Sequence, residues 1–188
     1  MRHQMAPAPS LMTVDDYFTK TPETVKPMEL ARGALRVSDA PTPRHQSAVL
    51  QLLLALDAHV RAGDLGRMWV APLDVVLSAR QALIVQPDLF FVSKERAHIV
   101  TDRVRGAPDL IIEVLSPHPR IGRTEEHVQW FAECAVRECW LVHQDLRSVT
   151  VIQFADGGES SRRVFARTQR IESTVLPGFT SSLDDILE

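Results

Sequence analysis

Lysine is nearly missing from this chain. Of 21 basic residues in 188, three are lysines, at Lys20, Lys26 and Lys94. Any chemistry that needs an ammonium group after residue 94 must find it elsewhere. Cysteine is scarce too, with only Cys134 and Cys139. Two thiols five residues apart have no zinc spacing and cannot make a disulfide scaffold, so packed thiols in a reducing cytoplasm are expected. No apolar run approaches the length of a membrane span, and no membrane partner is expected. The opening MRHQMAPAPS has no apolar h-region, so it does not read as a secretory leader. Its two prolines at positions 7 and 9 suggest a flexible N-terminal tail over residues 1–12. Strong positive charge is absent as well. The net charge is −3, unlike a protein that holds nucleic acid by charge alone. Arg103, Arg105, Arg120 and Arg123 do gather in sequence around one acidic strand, either as solvated loop residues or as a local basic groove.

What is present suffices for one core: with 45% hydrophobic residues, residues 13–188 read as a single domain. Thr13 with Asp16 makes a capping box for a short helix. PMELARGALRV alternates on both sides of Arg32–Gly33, as a β-hairpin does. TPRHQSAVLQLLLALDAHVRAG is a long helix ended by Gly63, with Leu50, Leu53, Leu54 and Leu56 as its expected apolar side. MWVAPLDVVLS, ALIVQPDLFFV and DLIIEVLS read as three strands. TEEHVQWFAECAV reads as a helix capped by Thr124, ECWLVH and SVTVIQF as a hairpin around QDLR, and RRVFAR as a further strand. His118 and His143 fall where turns are expected. The fold class is α/β, mixed α+β: a central mixed β-sheet flanked by helices, with an N-terminal helix and hairpin extension.

One residue does not suit its place. Glu113 lies inside the apolar run Leu110–Leu115, and a buried charge is costly unless it is paired or bound to a metal. Strand alternation puts Leu110, Ile112 and Val114 on one face and Ile111, Glu113 and Leu115 on the other. In LIVQPDLFFV, Asp88 shares its face with Gln86 and Phe90, and Pro87 places it at an irregular position. If the two strands are neighbours, Asp88 and Glu113 meet. Paired carboxylates repel unless a cation lies between them, and an oxygen-ligand pair suits magnesium, which activates water and offsets charge on a phosphate. Equally, Asp88 could end a strand and Glu113 pair with an arginine. Asp109 reads as a turn residue after Pro108.

VQPDLFFVSKER, then GAPDLIIEVLSP, a helix and ECWLVH together resemble the Uma-two family of the PD-(D/E)XK nuclease superfamily. MELARGALRV, PTPRHQSAVLQLLLAL, APLDVVLS and VLPGF follow the same pattern, so the resemblance spans Thr13 to the C-terminus. It implies a restriction-endonuclease-like core and a metal-dependent endonuclease acting on nucleic acid, DNA first. Magnesium, or manganese in its stead, would be held by Asp88 and Glu113. The superfamily's lysine, two residues after the acid, falls on Leu115. The family's helix-borne lysine and the tyrosine after it fall on His127 and Phe131, so His127 becomes the third catalytic candidate. Glu29, His45, Arg120 and Arg123 are accessory candidates. Related nucleases pair to cut two strands, which makes a homodimer one implied assembly. The competing expectation is a catalytically impaired relative that uses the same fold to bind nucleic acid or a protein.

On the residues alone, His127, Trp130, Phe131 and Cys134 share one helix face. His127 there is either a core histidine or a general base. His45 reads as an exposed residue at a helix start, and Glu29 as a hairpin residue that could lie on the surface.

Overall fold

The computed structural model describes residues 11–22, 26–115 and 123–187. Residues 1–10, most of the expected tail, lie outside these; the Met12 N–H donates to the Gly33 carbonyl at 2.8 Å. Helix α1 (Val14–Lys20) begins with the expected box: Thr13 Oγ1 accepts the Asp16 N–H at 3.1 Å and the Asp16 carboxylate accepts the Thr13 N–H at 3.0 Å. Strands β1 (Met28–Ala31) and β2 (Ala34–Val37) form the hairpin, with Arg32 and Gly33 both at positive φ. That geometry gives the two-residue turn whose twist matches the strands. At Gly33 a Cβ would also come within 3.0 Å of Leu11 Cβ and the Met12 carbonyl oxygen.

Helix α2 (Pro43–Ala62) is capped by Thr42, carries proline in its first turn and ends at Gly63. Only part of the expected side is buried: Leu56 is, and Leu53 packs against the core, but Leu50 and Leu54 do not face inward. Ala48, Val49, Leu52, Leu56 and Val60 face inward, while Leu50 is 55% and Leu54 63% exposed. The leucine run offers two stripes, and only one stays apolar along the helix. The row through Leu50 and Leu54 continues into Ser47, Asp57 and Arg61; the row through Leu52 and Leu56 continues into Ala48 and Val60.

Two of the expected strands are each broken in half. MWVAPLDVVLS becomes β3 (Gly66–Val70) and β4 (Val75–Ser78), and ALIVQPDLFFV becomes β5 (Leu83–Val85) and β6 (Leu89–Ser93). The breaks contain Pro72 and Pro87, which have no N–H to give a ladder. Each break hands the chain to another sheet, so there are two mixed sheets where one was expected. After β6 come a 3-10 turn (Lys94–Ile99), strand β7 (Val104–Arg105) and strand β8 (Leu110–Leu115). Then follow helix α3 (Arg123–Glu133) and strands β9 (Glu138–His143), β10 (Ser148–Ala155) and β11 (Gly158–Ala166), with α4 (Leu183–Ile186) last. The five-stranded sheet runs β2-β1-β5-β4-β7 and the six-stranded sheet β11-β10-β9-β8-β6-β3. Thr124 lies in the first turn of α3, not at its cap, and His143 is the last residue of β9, not a turn residue.

β8 runs antiparallel to β6 and parallel to β9, and α3 makes the crossover that a parallel pair requires. The alternation along β8 is as expected. Leu110, Ile112 and Val114 pack with the buried row of α2. Ile111 packs on the other face with Val128, Trp130 and Phe131 of α3. Glu113 therefore emerges beneath α3, close to where the two sheets part at Pro87.

Candidate functional site

A cleft of about 720 Å³ opens there, and Glu29, His45, Asp88, Glu113, Arg123 and His127 all line it. They come from five places in the chain. Glu29 is on β1, His45 in the first turn of α2, Asp88 just before β6, Glu113 near the end of β8, and Arg123 and His127 one turn apart on α3. Of the accessory candidates, Arg120 lies outside the described residues, as does His118.

The register explains how the two acids meet. Leu89 pairs with Ile112 and Phe90 with Ile111. One step further along the same antiparallel register, Asp88 lies opposite Glu113, and alternation gives both the face of Phe90 and Ile111. Asp88 is held firmly. Its carbonyl accepts the Ala71 N–H at 3.1 Å. Its Oδ2 accepts the Val114 N–H at 2.8 Å and lies 3.1 Å from His45 Nε2. Glu113 has no hydrogen bond or ion pair to its side chain among the described residues. It is screened from bulk solvent, with part of its surface opening on the cleft. Burial first, then the negative charges of Asp88 and Glu29, push its pKa well above the usual carboxylate range.

Around this pair stand two histidine–carboxylate contacts. His45 Nε2 meets Asp88, and that hydrogen bond, outweighing burial, raises the His45 pKa. His127 Nε2 meets Glu29 Oε2 at 2.8 Å. Glu29 is only 9% exposed, not a surface residue of the hairpin. Burial would raise its pKa, but the His127 hydrogen bond and the charges of His127, Arg36 and Arg123 lower it overall. His45 is likewise not an exposed cap residue: its side chain is 12% accessible.

Sequence reasoning passed over Arg36 and Glu126. Arg36 reaches Glu29 at 3.3 Å and grips both oxygens of Glu126 at 2.7 and 3.1 Å, and its guanidinium lies 5.5 Å from the Trp130 ring centre. A signal for Arg36 was available. With the turn at Arg32–Gly33, the hairpin register sets Arg36 directly opposite Glu29, a favourable cross-strand ion pair. Asp109 is fully buried outside the cleft, where its Oδ2 accepts the Ser93 N–H at 2.7 Å and Arg137 lies 3.0 Å from Oδ1. Lys94 pairs with Asp64 beyond the far end of β6 from Asp88, so no lysine lines the cleft among the described residues.

A model of the Uma2 family, described as "Putative restriction endonuclease", matches residues 14–184. The chain belongs to the Uma2 family. Its fold is also that of a solved relative, a "putative nuclease belonging to DUF820" from Anabaena variabilis ATCC 29413. The TM-score is 0.78, over 93% of this chain and 97% of that one, at 18% sequence identity. No curated protein matches the chain. The mixed α+β architecture, two mixed sheets flanked by helices, is thus shared with that structure.

Chemically, this Uma2 site is an oxygen-rich corner. Among the described residues no three His, Cys, Asp or Glu side chains are grouped so that they could hold a metal ion. What remains is Asp88 Oδ1 and the Glu113 carboxylate, both without donors among those residues. Two carboxylates with room for water are the donor set of a hard, largely hydrated cation. The described residues also contain no helix long and apolar enough to cross a membrane.

Proposed function

We propose that this chain is a magnesium-dependent endonuclease that hydrolyses phosphodiester bonds in nucleic acid, DNA first, in the cytoplasm. The observation that carries the reading is Glu113: a carboxylate without a donor among the described residues, opposite Asp88, with its negative charge disfavoured by both burial and its neighbours. A divalent cation would relieve that conflict. Membership of the Uma2 family supports the same reading.

Asp88 and Glu113 would hold the cation. When bound, it supplies a Lewis acid that lowers the pKa of water and offsets charge developing at phosphorus. The chain's own residues do the rest. Val114 N–H and His45 fix one Asp88 oxygen and leave the other without a partner among the described residues. His127, on the α3 wall of the cleft, would exchange a proton with the attacking water or leaving oxygen, and Glu29 holds its ring. Arg123, one turn earlier on α3 and without a hydrogen bond or ion pair among the described residues, supplies the permanent positive charge that a histidine lacks. Two copies acting together would cut both strands of a duplex.

A second reading has its own support. Position 127 holds a histidine bonded to Glu29 where the family resemblance implies lysine, which is what a catalytically impaired binding module would tolerate. Incubation of supercoiled plasmid and single-stranded DNA with magnesium or manganese separates the two. Cleavage by wild type and none by Glu113→Gln supports the enzyme. DNA binding without cleavage by wild type under either metal supports the module.

A further inference from the structure

The buried face of α2 explains why that helix is where it is, but not why its first turn carries a histidine turned into the cleft. Thr42 Oγ1 accepts the His45 N–H at 3.2 Å, so the cap fixes the backbone from which the ring projects. The ring reaches from α2 to the Asp88 carboxylate, 43 residues away in sequence. There it shares one oxygen, Oδ2, with the Val114 N–H. The other oxygen, Oδ1, has no partner among the described residues. The far ring nitrogen, His45 Nδ1, is buried and unpaired among them too. The ring thus forgoes a bond at one nitrogen while the other holds Asp88.

We infer that His45 is a positioning residue: its Nε2–H holds Asp88 Oδ2 so that Oδ1 is presented, at one orientation, beside Glu113. This rests on the proposed metal role of Asp88 and Glu113 and deepens it. A carboxylate preceding a strand, just after Pro87, has two free side-chain torsions, and one backbone N–H alone leaves it free to pivot about that bond. A second donor on the same oxygen removes the pivot. Groups that orient a ligand in this way change metal affinity by about 10–100-fold when removed.

The test uses manganese alone, with affinity measured by isothermal titration on wild type, His45→Leu, His45→Gln and Asp88→Asn. A leucine keeps bulk and loses the donor. A glutamine carries an amide N–H at nearly the reach of Nε2. The expected pattern is a loss of about 10–100-fold in His45→Leu, recovery of most of it in His45→Gln, and loss of binding in Asp88→Asn. If His45→Leu does not fold, His45→Ala carries the same comparison against His45→Gln. Wild-type affinity in His45→Leu, with binding lost in Asp88→Asn, overturns the positioning role and leaves the metal site standing. Equal loss in the leucine and glutamine variants overturns it as well, because the donor would then be irrelevant. If wild type takes up no manganese, the metal site itself is wrong and the inference falls with it.

Discussion

His127 Nε2 lies 2.8 Å from Glu29 Oε2, joining α3 to the β1–β2 hairpin at the cleft that both residues line. The contact satisfies one ring nitrogen of His127 and ties the residue to a carboxylate other than the Asp88–Glu113 pair. If His127 acts in proton transfer, His127→Ala lowers divalent-dependent cleavage by about 10²-fold or more without removing bound metal. His127→Lys restores the charge that the family pattern implies and raises cleavage above wild type. Equal rates in all three proteins, at verified metal occupancy, would falsify the catalytic role.

Glu113 sets a pH dependence whose sign follows from its raised pKa. In the metal-free fold it keeps a proton that the unfolded chain gives up near the usual 4.5. The folded state therefore binds more protons across that window, and this group's contribution to stability is full below 4.5 and is lost as pH rises towards the raised folded value. Glu113→Gln removes the slope. Melts in chelator across this range should show the variant gaining on wild type as pH increases. Parallel curves would mean that Glu113 is not under the strain described.

Arg36 holds two carboxylates on two elements, and its side chain is 26% accessible while that of Glu29 is 11%. Arg36→Ala leaves Glu29 largely buried with His127 as its remaining partner. The expected loss is about 1–2 kcal/mol, less than for a fully buried pair because Arg36 is partly screened by solvent. Glu126, with 36% of its side chain accessible, should cost under about 1 kcal/mol when changed to alanine. Denaturant melts of the two variants check the order, and a larger effect at Glu126 would contradict it.

The facing of α2 has an equally direct check. Leu56 is fully buried and Leu54 is 63% exposed. Leu56→Ala should cost about 2–5 kcal/mol, and Leu54→Glu should stay within about 0.5 kcal/mol of wild type. Comparable losses at both positions would mean the helix is rotated from the orientation described.

How much of this was legible beforehand differs from residue to residue. The capping box at Thr13, the hairpin turn at Arg32–Gly33 and the two faces of β8 are local, set by caps, φ angles and alternation, and they match the structure. Pro72 and Pro87 were visible as breaks, but a break does not say that the next strand joins a different sheet; that depends on pairing between distant segments. On α2, hydrophobicity alone puts Leu50 and Leu54 on the buried side; their row leads into Asp57 and Arg61 and faces solvent, while Leu53 and Leu56 pack as expected. The meeting of Asp88 and Glu113 on the cleft is legible because a charge in an apolar strand and a Pro-Asp break are conspicuous locally, and the family resemblance points to the same pair. The contact of His45 is not legible in sequence, because nothing near it reveals a carboxylate 43 residues away. The grip of Arg36 on Glu126 rests on α3 packing beside the hairpin, a tertiary fact with no sequence signature.

The central claim is that Asp88 and Glu113 share a divalent cation. Its most direct test is isothermal titration of magnesium into wild type, Asp88→Asn and Glu113→Gln, each confirmed as folded. One binding event is expected in wild type and lost in both variants, with the wild-type melting temperature rising with magnesium while theirs do not. Magnesium affinity in Glu113→Gln equal to wild type would contradict it.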